Sequence, residues 1–403
     1  MADRRHVVVA GAGVAGLTAA LTLARAGYRV SLLEQAAQLS ETGAGIQLAP
    51  NATGVLIALG LRERLAPCVL VPEAIRVLAG GSGREIVRIP LGEQLERRYG
   101  APYWVIHRAD LQAALAAAAT AEPDIALWLK AHVEDFTAHA QGVTVQAMRD
   151  GRVIDERGLA LIGADGVWST VATRIRDRPE PIFAHRTAWR ALIPATQVPA
   201  DLRVPAVHLW LGSGAHLVHY PVRGGRLINI VAIVHGEWRE TGWSAPGARA
   251  EIIDHFSWWC AAARALIATP EQWLKWALYH RRDTFHDGSG PVTLIGDAAH
   301  PMLPFLAQGA AMAIEDAATL ADMLHRYGDD PVDALRGYEG ARHRRVAHAQ
   351  SASQHQGAIY GLHGLQAVLR NLGMRAMGGE RLLDRQHWLY SWQLPQLLRN
   401  SPL

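Results

Sequence analysis

The 403-residue chain carries 40 Lys and Arg against 37 Asp and Glu, a formal net charge of +3, and half of its residues are hydrophobic. That size buries a large core and suggests two domains, or one with a large insertion, while the lack of a basic tail or lysine run removes electrostatic support for nucleic acid. The two cysteines, Cys68 and Cys260, stand far apart and outside any Cys-x-x-Cys, which argues against a disulfide framework and fits a reducing cytoplasm.

Residues 6–10, His-Val-Val-Val-Ala, read as a buried strand. Gly11-x-Gly13-x-x-Gly16 follows, then a helix over 17–26 stopped by Gly27, then a second strand over 28–33 ending in Glu34. The uncharged stretch 7–24, preceded by Arg4 and Arg5, superficially looks like an export or membrane segment. Three glycines interrupt it, and charge resumes at Arg25 without a cleavage pattern, so no membrane span is expected. Strand, glycine turn, helix and acid together make the dinucleotide fingerprint in its required context. The first glycine makes the tight turn and the second lets the backbone approach a pyrophosphate. The third lets helix and strand pack closely, and Glu34 is placed to accept hydrogen bonds from ribose hydroxyls.

The small-residue loop over 41–51 either lets a ligand approach closely or simply crosses over, and a helix around 52–59 follows. Residues 62–100 are mixed, with a hairpin turn at Gly80-Gly81-Ser82-Gly83. A strand over 103–107 leads into an Ala-rich helix, with Arg108 at the junction. There Arg108 either faces a pyrophosphate or caps the helix and pairs with nearby Asp110. Residues 125–165 read as hairpin strands with Asp150-Gly151 as a type I′ turn, and they end in a second strand-terminal acid, Asp165.

Residues 183–285 change character, with frequent Trp and His and strand-like runs at 206–211, 216–222 and 227–234. Gly224-Gly225 marks a hairpin, and 249–267 reads as one helix. On the 216–222 strand, His216 and Tyr220 share one face and His219 takes the other. A His and a Tyr on one face suit an aromatic acid that must be oriented and deprotonated, or they are packing residues. Arg190 either anchors a carboxylate or pairs with an acid.

The strand over 291–295 ends in Gly296-Asp297, turns through Pro301 and Pro304, and opens a helix at Gly309 and Ala310. Such a helix start offers free N–H groups and a positive dipole end to an anion or an electron-rich ring edge. Asp297 is placed to hold a polyol hydroxyl, and His300 reads as structural. From residue 331 the chain is mainly helical, with an aromatic segment at 388–392 that docks onto the body.

In combination these motifs are specific. Gly163-Ala164-Asp165-Gly166-Val167-Trp168-Ser169, Gly296-Asp297-Ala298-Ala299-His300-Pro301, Gln308-Gly309-Ala310 and Glu315-Asp316-Ala317 resemble those of the single-component FAD-dependent aromatic hydroxylases. Gly43-Ala44-Gly45-Ile46-Gln47-Leu48 resembles the salicylate, 3-hydroxybenzoate and 6-hydroxynicotinate hydroxylase branch. The resemblance implies an α/β fold like that of 4-hydroxybenzoate hydroxylase. A Rossmann-type FAD-binding domain would span 1–182 and 286–355, with a sheet-rich substrate domain inserted at 183–285 and a helical tail at 356–403. FAD would be tightly bound, with NADH or NADPH and O2 as co-substrates, no metal, and a flavin C4a-hydroperoxide as oxygen donor.

The cofactor set implied is Gly11, Gly13, Val14, Ala15, Gly16, Glu34, Gln35, Gln47, Arg108, Val133, Asp165, Asp297, Gly309 and Ala310. Glu34 would hold the adenosine ribose, Arg108 the pyrophosphate or ribityl region, and Asp297 the ribityl chain. The N–H groups of Gly309 and Ala310 would face the flavin N1/C2 edge, and Asp165 would stand between FAD and the nicotinamide. His216 and Tyr220 resemble a catalytic pair, with Gln47, Arg190 and Pro304 lining the substrate. Pro304 stands where the 3-hydroxybenzoate enzymes are expected to carry Gln, and so resembles the salicylate and 6-hydroxynicotinate enzymes. The expectation is hydroxylation of a phenolic or hydroxy-heteroaromatic carboxylate by a monomer or homodimer. The alternatives are a tailoring monooxygenase or epoxidase for a bulkier substrate, and a flavin-binding NAD(P)H oxidase or sensor.

Overall fold

The computed structural model describes residues 5–39, 44–175, 180–281, 290–328 and 330–399. The first part of the 41–51 loop and the expected 285/286 boundary lie outside the described residues.

A five-stranded parallel sheet runs in the order Val292–Leu294, Ala160–Gly163, His6–Ala10, Arg29–Leu33, Ile125–Trp128. The central strand shows why an apolar run of this kind is needed. Val7 and Val9 pack into a core shared with the helices Val14–Arg25, Arg108–Ala121 and Gly309–Tyr327. Val8 and Ala10 pack the opposite way, under a three-stranded antiparallel sheet of Ala131–His139, Gly142–Arg149 and Arg152–Gly158. Each fully buried valine side chain contributes roughly 1.5–3 kcal/mol. In the three-stranded sheet the Asp150-Gly151 turn has φ of 48° and 76°, as a type I′ turn requires.

Parallel pairing brings the strand ends into one line. Leu33, Ala10, Gly163 and Leu294 are register partners in sequence across four neighbouring strands. The residues just beyond them, Glu34, Gly11, Asp165 and Gly296-Asp297, therefore collect on one sheet edge.

The second sheet has eight strands, ordered Ser244–Gly247, Trp273–His280, Ile182–Pro194, Leu227–His235, Ala215–Val222, Val207–Leu211, Ala74–Ala79, Glu85–Pro90. It is not confined to 183–285. Its last two strands come from the hairpin expected around Gly80-Gly83, within what the sequence assigned to the first domain. Val207–Leu211 is buried at every residue and needs a neighbour on both edges; Ala74–Ala79 supplies one, in parallel.

The single helix expected over 249–267 is two, Arg249–His255 and Ala261–Ala268. The chain breaks so that the Trp259 ring can lie flat against Gly80 and Gly212, where a Cβ would meet the ring at 2.7 and 2.3 Å. The Cys260 N–H then bonds the Gly80 carbonyl at 2.8 Å.

The C-terminal region begins with the long helix Pro331–Tyr360. Gly364–Asp384 follows, bent at Gly378 (φ 73°), where Gly379 presses so close to the Arg88 carbonyl that a Cβ would sit 1.8 Å away. The aromatic segment His387–Tyr390 docks as expected, with Leu389 and Tyr390 buried. Among the described residues no helix is long and apolar enough to cross a membrane.

Candidate active site

The glycine turn is built for close approach. Gly11 has φ +99°, and a Cβ there would lie 2.5 Å from the Ala164 carbonyl. At Gly16 a Cβ would lie 1.8 Å from the Gly11 carbonyl. At Gly13 it would meet nothing within 4 Å, so that glycine fronts open space. The helix Val14–Arg25 starts there without a side-chain cap, leaving its first N–H groups, through Val14 and Ala15, to an external acceptor. Glu34 braces the turn: its carboxylate accepts the Ala12 N–H at 2.7 Å and the Ala36 N–H at 2.8 Å. Gln112, which sequence reasoning missed, donates to the Ala12 carbonyl at 3.1 Å. Neighbouring Gln35 is exposed, whereas Val133 is a buried core residue at an irregularity in its strand.

Arg108 is the first residue of its helix, and its N–H bonds the Ala44 carbonyl at 3.2 Å. Asp110 is clamped by the Arg223 guanidinium at 2.9 and 3.0 Å. Asp165 turns its carboxylate onto the start of the helix Thr170–Arg174, accepting from the Ser169 hydroxyl and from the Val171 N–H at 3.1 Å. Burial pushes its carboxyl upward against those bonds.

Asp297 is exposed in the short turn Gly296–Ala298. Gly309–Tyr327 opens after Gln308 with no side-chain cap, and Ala307 before it takes a left-handed φ of 53°. A buried ionic network fixes this helix start. Asn51 donates to Gln308 at 3.0 Å and to Glu315 at 2.6 Å. Arg342 bonds Glu315 at 2.5 Å and Asp316 at 2.7 Å, and Arg345 grips Glu315 with two bonds of 2.6 Å. Burial alone would raise Asp316; His300, Arg342 and the Gly296 N–H outweigh it and hold the carboxyl below its usual range. His300 is thus bonded to the buried Asp316 of this network.

The parallel sheet edge therefore presents an open glycine turn, two uncapped helix starts and an exposed carboxylate. Those groups fit FAD: acceptor-seeking N–H groups for its pyrophosphate and flavin carbonyl edge, and acids for its hydroxyls.

Beside this edge a cavity of about 560 Å³ lies between the eight-stranded sheet and the C-terminal helices. His216, Gln47 and Pro304 line it. His216 is 4% exposed, with the Phe305 ring at 5.5 Å and the Tyr360 ring at 5.2 Å. Burial first, then the charges of Arg186 and His235, lowers its pKa to about 3, so the imidazole is neutral. Gln47 accepts the Tyr103 hydroxyl at 2.8 Å and is hydrogen-bonded to Tyr220. Tyr220 stands behind the wall on the same strand face, its hydroxyl pushed up by burial.

Arg190 shares that face, since register partners run Arg190 to Val231 to Val218. It does not line the cavity and instead stacks on Trp276 at 4.9 Å. His219 takes the opposite face, accepting the Trp210 indole N–H at 3.1 Å and stacking on His208 at 4.3 Å. Sequence reasoning missed the far wall, which comes from the tail: Gln356, Tyr360, Arg370, Met374 and Trp388. Among the described lining residues there is no Asp or Glu, while Arg370 and Arg385 are both present.

The fold and site define a flavoenzyme of the dinucleotide-cradling class with a separate chamber between the eight-stranded sheet and the C-terminal helices. Comparison with known proteins narrows the class. The family model described as FAD binding domain matches residues 4–353. The chain is 36% identical over 392 residues to a 3-hydroxybenzoate 6-hydroxylase from Polaromonas naphthalenivorans, covering 97% of each. It is 34% identical over 357 residues to a 6-hydroxynicotinate 3-monooxygenase from Bordetella bronchiseptica, covering 88% of this chain and 91% of that one. A solved salicylate hydroxylase in its substrate complex superposes with a TM-score of 0.80 at 25% identity, over 98% of this chain and 97% of that one. The chain belongs to the FAD binding domain family and, within it, to the single-component flavin-dependent hydroxylases. It is an FAD-dependent monooxygenase that uses NAD(P)H and O2.

Proposed function

We propose that the chain hydroxylates a phenolic or hydroxy-heteroaromatic carboxylate of the 3-hydroxybenzoate, salicylate or 6-hydroxynicotinate type. The observation that carries this is the chamber: a buried neutral His216 beside Gln47, in a wall that holds arginines and, among the described residues, no acid. When bound, FAD would supply the oxygen-transfer chemistry, with NAD(P)H and O2 as co-substrates. The neutral His216 accepts a hydrogen bond from the ring hydroxyl, which enriches the ring in electrons. Gln47, fixed by Tyr103 and Tyr220, orients the ring, and Pro304 and Phe305 exclude water from one side. For the cofactor, we assign the glycine turn and Arg108 to the pyrophosphate and Glu34 to the ribose. Asp297 takes the ribityl chain, and the Gly309 and Ala310 N–H groups take the flavin edge.

Pro304 favours a salicylate- or 6-hydroxynicotinate-like substrate, whereas a 3-hydroxybenzoate enzyme stands among the 36%-identical relatives. The substrate is therefore given by class. The chamber volume falls within the roughly 300–1,000 Å³ of drug-sized ligand pockets, which supports a bulkier ring system as the second reading. The free Cys68 and Cys260 support a cytoplasmic setting, with the chain acting as a monomer or homodimer. The test is a screen of hydroxybenzoates and hydroxynicotinates for stimulated NADH and NADPH consumption, with product identification. A hydroxylated product formed in step with consumption supports the reading. Consumption that no aromatic acid stimulates overturns it.

A further inference from the structure

Arg370 sits on the Gly364–Asp384 helix, and its side chain lines the same chamber as His216. Part of the guanidinium is spent on the protein. Nη1 donates to the carbonyls of Ile359 and Tyr360 at 3.2 and 3.1 Å, and Nε to Asn371 Oδ1 at 3.0 Å. These bonds fix the plane of the group at the end of the long helix. Nη2 donates to nothing among the described residues, and no carboxylate there forms an ion pair with Arg370. Burial works against its charge. A half-buried guanidinium held only by neutral acceptors is under-compensated, and its remaining Nη2 can donate to a carboxylate.

The other charged or titratable groups on the wall are less suited. Arg385 is exposed, with one nitrogen turned to the Met377 sulfur at 3.8 Å. His348 is stacked on Trp388 at 3.9 Å, and His355 is exposed on the long helix. Tyr360 links the two ends of the chamber: its carbonyl holds Arg370 while its ring packs 5.2 Å from His216.

We propose that Arg370 is the anion anchor of the substrate chamber, with its free Nη2 edge receiving the carboxylate of the aromatic acid whose hydroxyl faces His216. This rests on the aromatic-acid reading above and assigns specificity to a C-terminal helix. The same guanidinium also caps the long helix, so the test must separate anchoring from capping.

The FAD-loaded wild type, Arg370→Gln and Arg370→Lys are titrated with 3-hydroxybenzoate, salicylate and 6-hydroxynicotinate and with the matching carboxamides. The readouts are flavin absorbance changes and kcat/KM. The wild type is expected to prefer acid over amide. Arg370→Gln should weaken the acid about 10- to 100-fold and move the amide by less than about threefold, erasing the preference. Arg370→Lys should restore part of the acid binding, because the charge returns without the guanidinium plane that the protein bonds hold in place. If the Gln variant fails to hold FAD, the Lys variant decides, with the preference expected to fall severalfold. Equal weakening of acid and amide, or an unchanged preference, overturns the anchor while leaving the aromatic-acid reading intact. A wild type that holds FAD yet responds to no aromatic acid overturns both.

Discussion

His216 enters catalysis as an acceptor. Its pKa of about 3 means that the charged form, which offers no acceptor nitrogen, populates only far below neutrality. The free-enzyme profile of kcat/KM should therefore show no acid limb near pH 6.5 from this residue, a point that steady-state assays from pH 5 to 8 check. His216→Ala should lower hydroxylation about 10- to 100-fold while FAD stays bound, read as product formed per NADH consumed. Unchanged coupling in that variant would remove its role. The pairing of His216 with Tyr220 was legible because a strand alternates its side chains, and both residues sit on the expected face. Arg370 was not, because nothing in a helical pattern says which sheet the helix will roof. Arg190 shows the complementary problem: the face was readable, but the neighbour, Trp276, comes from a strand more than eighty residues further on.

At the scale of the element, the glycine turn separates two kinds of glycine. Gly16→Ala forces a Cβ into the Gly11 carbonyl and should prevent the first strand and helix from packing. Gly13→Ala meets open space, so the protein should fold with near-normal thermal stability and lose FAD affinity instead. Melting of the two variants, with flavin absorbance after purification, distinguishes these outcomes. The network under the Gly309–Tyr327 helix is a second element-scale device. Arg342→Met would remove the guanidinium shared by the buried Glu315 and Asp316, leaving Arg345 and His300 as their cations, and should cost about 3–5 kcal/mol, read from urea denaturation. The strand-ending motifs were legible because parallel strands place their carboxyl ends on one edge, whatever the loops do between them. The break between Arg249–His255 and Ala261–Ala268 was not, since it depends on where Trp259 meets Gly80 and Gly212.

Across the whole molecule, buried histidines set the response to acid. His208 is lowered to about 4 and His216 to about 3, in both cases chiefly by burial, and His219 is lowered well below its usual value for the same reason. In the unfolded chain such residues protonate near pH 6.5. Between that value and the folded pKa, the unfolded state binds more protons, so stability is full above about pH 6.5 and falls as pH drops. The slope is about 1.4 kcal/mol per pH unit for each histidine. Urea midpoints measured from pH 7 to 5 should decline accordingly, and His208→Asn should flatten the decline.

The eight-stranded sheet has one more consequence. Its Ala74–Ala79 and Glu85–Pro90 strands are spliced from the middle of the FAD-binding half, and its cover, Gly364–Asp384, arrives after the chain has returned through that half. Neither hydrophobic body can come apart without pulling strands or a roof from the other. The chain should behave as one cooperative unit despite its two sheets, with a single calorimetric endotherm in which flavin release and loss of the tryptophan-rich sheet's fluorescence signature coincide.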